Sequence, residues 1–425
     1  MSTGASLRGL TAAQRNTFIA SFLGWTLDAF DYFLVVVVLT DVATDLHSNY
    51  VTASLAITLT LAMRPLGAFL FGWFADRYGR RTPLMVDVAF YSVIELLTAF
   101  SPNITVFIVL RAIYGIAMGG EWGLGAALAM ESLPPQRRGL FSGILQEGYA
   151  VGNLIASAVF ALLFVHIGWR WMFVIGTLPA LLILYIRSHV PESPAWKAGQ
   201  AQAIAGKPPF WPVFRANWGL FVYTILLMAA FNFMSHTSQD PYVSAFLKKQ
   251  LGLTPGVAGG IGSFTAIGAI AGGILFGALS QRLGRRNMMI TCAVLGLLFI
   301  PLWVFSHGIA ALALGGALMQ FAVQGAWGII PAHLNEISPR GIRGTFPGFT
   351  YQLGNLIAAP TLTIVAILAR NPHWTLPGGK DNYGTAMAVL LSAVFLFVIV
   401  MVAIGYRIAP ERRHESLAGE SSPAA

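Results

Sequence analysis

Apolar residues fall along the chain in long runs separated by short polar stretches, and twelve runs are long enough to cross a bilayer as helices, about 20 residues each. They cover residues 17–41, 51–75, 82–101, 104–130, 139–166, 170–188, 218–246, 257–281, 286–306, 309–335, 342–369 and 383–407. The runs at 104–130 and 342–369 are long enough to be tilted or kinked. The longest interior polar stretch, 189–216, lies at the centre of the chain. The pattern therefore predicts an all-α integral membrane protein made of a six-helix bundle (1–188), a linker (189–216), a second six-helix bundle (217–408) and a polar, unstructured tail (409–425).

The two halves repeat. Gly72, Arg77, Gly79, Arg80 and Arg81 recur 205 positions later as Gly277, Arg282, Gly284, Arg285 and Arg286. The same offset carries Trp122-Gly123 to Trp327-Gly328, Glu131 to Glu336 and Arg138-Gly139 to Arg343-Gly344. Gly152–Ala156 recurs as Gly354–Ala358, shifted by 202. A parallel repeat of this kind places a binding site near the bilayer midplane, between the halves.

Composition and charge agree with the pattern. Of 425 residues, 56% are hydrophobic and 10% charged, against about 25% charged in a soluble domain. The net charge of +9 does not imply nucleic acid, because the basic residues sit in short loops. With the N-terminus inside, the inner segments hold 19 of the 26 Lys and Arg residues, including Arg8 and Lys207. That asymmetry predicts cytoplasmic termini in a cell (inner) membrane. The single Cys292 excludes a disulfide framework and no metal spacing is present. HExxH, GxSxG and phosphate-loop motifs are absent, so neither an enzyme nor a cofactor is expected.

Gly72-Trp-Phe-Ala-Asp76-Arg77-Tyr-Gly79-Arg80-Arg81 resembles the signature loop of the major facilitator superfamily. Arg111-Ala-Ile-Tyr-Gly115 and Pro191-Glu192-Ser193-Pro194 resemble two further motifs of that superfamily. The resemblance implies the major facilitator fold and alternating access. Asp76, Arg77, Gly79, Arg80, Arg111, Glu131, Arg138, Arg282, Glu336 and Arg343 are the candidate gating and structural residues. Gly79 permits a tight turn, and Asp76 can pair with an Arg or sit at a helix N-terminus. Gln281 replaces Asp76 in the second copy, which weakens a symmetric latch.

Charges inside the membrane are costly and mark function. Asp28 and Asp31, at i and i+3 of the first run, and Arg64 in the second lie at matched depth. An ion pair lining a hydrated cavity is expected, with Arg64 available to an anionic substrate in bidentate fashion. In the seventh run Asn232, Ser235, His236, Gln239 and Asp240 stand at i, i+3, i+4, i+7 and i+8, a polar stripe on one face. Pro241 is expected to interrupt the helix just beyond. Tyr351, Gln352 and Asn355, with Gln320 and Gln324, offer neutral hydrogen bonds from the second half. Arg111, Glu121 and Glu147 suggest a network between the fourth and fifth runs. Glu95 and Asp87 in the third run have no evident role. Gly115, Gly119 and Gly123 suit close helix packing.

The stripe is similar to the signature Asn-x-x-Ser/Thr-His-x-Ser/Thr-Gln-Asp-x-x-x-Thr of the sialate:proton symporter family, with Ser244 at the last position. Gly24-Trp25-Thr-Leu-Asp28-Ala-Phe-Asp31 resembles the same family. That family includes lactate/pyruvate (monocarboxylate) permeases and sialic acid transporters. The resemblance implies a proton-coupled symporter of a small organic anion, acting as a monomer. Arg64, Asn232, Ser235, His236, Gln239, Tyr351, Gln352 and Asn355 would meet the substrate, and Asp28, Asp31 or Asp240 would take the proton. A monocarboxylate is favoured because bacterial sialate members tend to carry two extra helices between the halves, for which 189–216 is too short. Sialate and dicarboxylates are the alternatives.

Overall fold

The computed structural model describes residues 9–202, 210–377 and 379–417. Twelve helices long and apolar enough to cross a membrane follow one another: α1 (Ala12–Asp45), α2 (Val51–Tyr78), α3 (Arg81–Ala99), α4 (Ile104–Ser132), α5 (Pro135–Phe164), α6 (His166–His189), α7 (Trp218–Gln250), α8 (Pro255–Leu283), α9 (Arg285–Val304), α10 (Ile309–Ile337), α11 (Phe346–Ala369) and α12 (Tyr383–Ile408). Their ends lie within about five residues of the apolar runs. The ends follow local chemistry. Thr11 and Gln14 form a reciprocal capping box at α1, and Asn49, Asn103 and Asn382 accept from backbone N–H groups that open α2, α4 and α12. Gly79 (φ 97°) and Gly284 (φ 103°) make the turns that end α2 and α8, a conformation that strains any residue with a Cβ.

The packing repeats as the sequence does. α2 lies along α4 as α8 lies along α10, and α1 packs on α5 as α7 packs on α11. Glycine sets the closest approaches. A Cβ on Gly115 or Gly119 of α4 would stand 2.2 Å or 2.0 Å from the carbonyl oxygens of Thr60 and Arg64 in α2. Gly268 and Gly272 meet α10 in the same way. Large apolar side chains such as Leu162, Leu184, Leu298 and Ile367 face outward and are exposed, as lipid-facing residues are.

Two expectations are corrected by the fold. Pro241 does not interrupt α7. The chain passes from α-helix into a wider π-helical stretch at Tyr242–Gln250, which accommodates the missing proline N–H without ending the helix. The tail is not unstructured from residue 409 onward. Residues 409–417 lie against the ends of α8 and α9, where Arg286 donates to the Ala409 carbonyl at 2.6 Å and Gln281 to that of Arg413 at 3.0 Å. Leu417 is buried. Residues 418–425 lie outside the described residues. In the expected linker, helices form at Pro194–Gln202 and Phe210–Ala216, and 203–209, with Lys207, lies outside the described residues, as does Arg8.

Candidate functional site

Among the described residues, the hydrogen bonds between the halves lie at one end of the bundle, the end carrying the arginine-rich loops. Asp76 at the end of α2 accepts from the backbone N–H groups of Gly344 (2.6 Å) and Thr345 (3.0 Å) and from the Thr345 hydroxyl (2.7 Å). It thereby holds the first turn of α11 from the other half, and it also lies 3.5 Å from Arg80. Gln281 does not break this symmetry. Its Oε1 accepts from the Gly139 N–H at 3.3 Å, so α8 holds α5 as α2 holds α11. Glycines let the backbones meet: a Cβ on Gly143 would lie 2.3 Å from the Gly273 carbonyl oxygen, and one on Gly72 would lie 2.5 Å from Thr345 Cα.

Behind each latch sits a buried bidentate ion pair. Arg80 bonds Glu131 at 2.9 and 3.0 Å, and Arg285 bonds Glu336 at 2.7 and 3.1 Å. Both carboxylates belong to the 205-residue repeat. Two acceptors of the loop region escaped sequence reasoning as partners. Glu192 accepts from the N–H groups of Arg80 and Arg81, and Glu411 from those of Arg285 and Arg286. The signal was present in the paired Pro191-Glu192 and Pro410-Glu411. Arg138 donates to the carbonyls of Met130 (3.0 Å) and Glu415 (2.8 Å), and Arg343 to that of Leu417. Burial, and the nearby Arg80, Arg412 and Arg340, push the Arg343 guanidinium below its ordinary value. Arg77 lies over the rings of Trp73 and Tyr78. Arg282 is exposed, and its carbonyl accepts from Arg413.

Away from this end the stripe on α7 opens. Asn232 is buried and donates back to the Met228 carbonyl at 2.8 Å. Ser235, His236 and Gln239 are half-buried, and Asp240 and Ser244 are exposed. Exposure rises along the stripe away from the arginine-rich end, as it would on the wall of a cleft between the halves that is closed at that end. Within it His236 Nδ1 lies 2.9 Å from Asp240 Oδ2, and Nε2 lies 3.1 Å from Asn355 Oδ1. Gln239 donates to Gln320 (3.0 Å), which donates to Ser238. The repeat-related Trp122 and Trp327 flank Tyr351 with ring centroids at 4.6 and 5.7 Å. Gln352 is buried, and neither amide atom has a partner.

From the first half, Arg64 is 4% exposed, and its Nε and Nη2 have no hydrogen-bond partner. Its charge is within electrostatic reach of Tyr32, Tyr149, Tyr351 and His236. The expected ion pair with Asp28 and Asp31 is not formed. Both carboxyls are fully buried, and none of their oxygens has a partner. Asp31 instead faces α3 and the Gly176 turn, where a Cβ would lie 3.1 Å from its Oδ1 and 3.0 Å from Glu95 Oε1. The Arg111–Glu121–Glu147 network is also corrected. Arg111 bonds Glu95 at 2.6 Å and Thr98 at 2.8 Å and lies 4.2 Å from the Tyr114 ring centroid. Glu121 seats against Gly24, and Glu147 against Gly273. Spacing along one helix could not show that α3 supplies the partner of Arg111.

The Major Facilitator Superfamily profile matches residues 21–238 and again 225–424. The chain belongs to the major facilitator superfamily. It is a multi-pass membrane protein of that fold, and the relatives it matches are transporters. It is 30% identical to a carboxylic acid transporter protein homolog of Saccharomyces cerevisiae over 98% of this chain and 71% of that one. It is 27% identical to the sialic acid transporter NanX of Escherichia coli over 93% and 94%, and 26% identical to a cis,cis-muconate transport protein of Acinetobacter baylyi over 90% and 92%. Among solved structures, the proton:xylose symporter XylE superposes with a TM-score of 0.75 at 18% identity, covering 96% and 98% of the two chains. That likeness concerns the fold. The match to NanX removes one expectation, since a sialic acid transporter aligns over nearly its whole length, so chain length does not separate sialate from monocarboxylate.

Proposed function

We propose that this superfamily member is a proton-coupled symporter of a small organic carboxylate, with a monocarboxylate of lactate or pyruvate size as the substrate. One observation carries the reading. Arg64 carries a buried guanidinium with two unpartnered nitrogens in the first half, within electrostatic reach of His236 on the second. A planar cation with free donors is suited to bidentate recognition of a carboxylate. A buried unpaired charge is expensive to maintain unless a ligand completes it. His236, held by Asp240 and Asn355, faces the same cleft and supplies a donor from the other half, so one anion can bridge the two. Asn232, Ser235, Gln239, Tyr351 and Gln352 complete the surroundings. Asp28 or Asp31 takes the coupling proton, which offsets the charge of the anion. Asp240, engaged by His236, serves first to orient the imidazole.

Alternating access follows from the latches. They close the arginine-rich end, and their release with closure of the α7 side would expose the same Arg64 to the opposite face. By the loop charges, that end and both termini are cytoplasmic in the cell membrane, and the two bundles of one chain suffice for the cycle. The relatives support a carboxylate. The molecules in their names, a carboxylic acid, a sialic acid and a muconate, all carry that group. The similarity to NanX favours a second reading, a sialic acid or dicarboxylate as substrate.

Uptake of labelled L-lactate into proteoliposomes with an alkaline interior, with and without a protonophore, tests the proposal. Accumulation that collapses with protonophore is expected. Equilibration without accumulation would mean a facilitator. Absence of lactate uptake beside uptake of labelled sialate or a labelled dicarboxylate would establish the second reading.

A further inference from the structure

Helices α1, α3 and α4 enclose five carboxyl groups, of which the proposed function uses only Asp28 and Asp31. Asp87 and Glu95 come from α3, and Glu121 from α4. All five are fully shielded from solvent. Asp28, Asp31, Asp87 and Glu121 have no partner on either oxygen, and Glu95 bonds Arg111 through Oε2 alone.

These groups form a line. Asp87, Tyr91 and Glu95 stand at i, i+4 and i+8 on one face of α3, spanning about 12 Å of its axis. Glu95 and Asp31 converge on the Gly176 turn, each about 3 Å from the position a Cβ would take there. Asp28 lies one turn along α1 from Asp31. Gly24, one turn further, is the seat of Glu121, whose Oε1 would be 1.9 Å from a Cβ at that glycine. Asp87 lies within electrostatic reach of Glu121 and Asp28.

Two further groups point into the line without being part of the acidic set. The hydroxyls of Tyr91 and Tyr114 are fully buried, and neither has a hydrogen-bond partner. Tyr91 lies within reach of Asp28, Asp31, Asp87 and Glu121, and Tyr114 within reach of Asp28, Asp31 and Glu95. The cations facing the line are Arg111 from α4 and Arg64 from α2, the latter toward Asp28.

Packing does not account for such a line. A buried polar group without a hydrogen bond costs a few kcal/mol, and apolar residues of similar volume would fill the space at no such cost. Among the described residues no group of three His, Cys, Asp or Glu side chains converges closely enough to hold a metal ion. A proton needs only one oxygen at a time, which this arrangement offers.

We propose that Glu95, Asp31, Asp28, Glu121 and Asp87 form a proton conduit inside the first bundle, separate from the substrate cleft, with Tyr91 and Tyr114 as bridging hydroxyls. A protonated carboxyl donates its O–H proton to a neighbouring carboxylate oxygen and becomes the carboxylate itself. Each step conserves protons and charge within the line, and net transfer occurs when a proton enters at one end and leaves at the other. The proposal rests on the proton-coupled reading above and extends it to Asp87 and Glu121.

Asp87→Asn and Glu121→Gln, reconstituted singly, test it. Substrate-induced proton uptake and pH-driven lactate accumulation are read beside lactate counterflow, which requires no net proton movement. Proton uptake and accumulation should fall at least tenfold while counterflow stays within about twofold, and Asp87→Glu should restore coupling. Tyr91→Phe, which removes one hydroxyl and little volume, should slow proton uptake with the fold intact, and it serves if the acid variants fail to fold. Normal coupling in these variants overturns the conduit. So does a parallel loss of counterflow and coupling with a lowered melting temperature. Wild-type protein that transports without taking up protons overturns the proton-coupled reading itself, and the conduit with it.

Discussion

Asp76 is the most direct test of the closed end. Its carboxylate receives three hydrogen bonds from Gly344 and Thr345 at 2.6–3.0 Å, all across the boundary between halves. Hydrogen bonds to a charged acceptor contribute about 1.5–3 kcal/mol each. The full sum overstates the bias, because water solvates the carboxylate and the α11 N-terminus once the latch parts. A net preference of about 2–4 kcal/mol for the closed state is reasonable, roughly a 30- to 1,000-fold change in the ratio of open to closed. Asp76→Ala should release it.

The single native Cys292 is fully buried, so a maleimide finds almost no background site. A reporter Ile274→Cys sits at a half-buried position on α8 whose Cα lies 3.1 Å from where a Cβ on Gly143 of α5 would stand. In the reporter background, Asp76→Ala should raise the labelling rate at least tenfold, and Asp76→Glu should raise it less. Labelling that changes by less than threefold in protein that remains folded would refute the latch and the energetics assigned to it.

Arg64→Ala should abolish carboxylate uptake, by at least a hundredfold, while the protein still reaches the membrane; normal uptake would remove Arg64 from the site. Arg111→Ala leaves Glu95 buried without its guanidinium and should cost about 3–5 kcal/mol; thermal unfolding in detergent checks this, and adding Glu95→Gln should recover part of the loss. Gly143→Ala places a methyl group 2.3 Å from the Gly273 carbonyl oxygen, so it should hold the arginine-rich end open and raise labelling at the Ile274→Cys reporter. At the far end, Lys249 and Tyr383 bond Asp381 and hold its carboxyl below the ordinary carboxylate range. This contact should persist at neutral pH and weaken only as pH falls through that lowered value; cleavage of the 370–382 loop by an acid-active protease should rise there, and Asp381→Asn should remove the dependence.

How much was legible in the sequence depended on whether a feature was local or spatial. The helices were legible because a bilayer demands long apolar runs, and their ends because capping and left-handed glycines are local signals. The halves were legible because one offset relates Arg80 to Arg285 and Glu131 to Glu336, pairs that the fold then brings within 3 Å. The α7 stripe was legible because helical periodicity alone puts His236 and Asp240 on one face. Partner choice between helices was not. Matched depth suggested that Arg64 meets Asp28 and Asp31, but depth carries no azimuth. Asp31 turns toward α3, while Arg64 is buried with two nitrogens unpartnered. Glu95 had no account for the same reason, its partner being on a helix that no local spacing relates to it.

This division has a consequence for the site itself. The residues whose partners were legible, in the latches and on α7, are bonded within the protein. The groups left without partners, Arg64, Asp28, Asp87 and Glu121, are those for which the sequence offered either a wrong partner or none. A structural charge in an apolar bundle is tolerated when it is paired. An unpaired one persists where its partner is mobile. Under the proposed function the mobile partner of Arg64 is the anion, and that of the buried carboxyls is the proton. On that reading the unpaired residues are left to the two transported species, whereas Arg111 and Glu95, equally hidden from local reasoning, are bonded to each other.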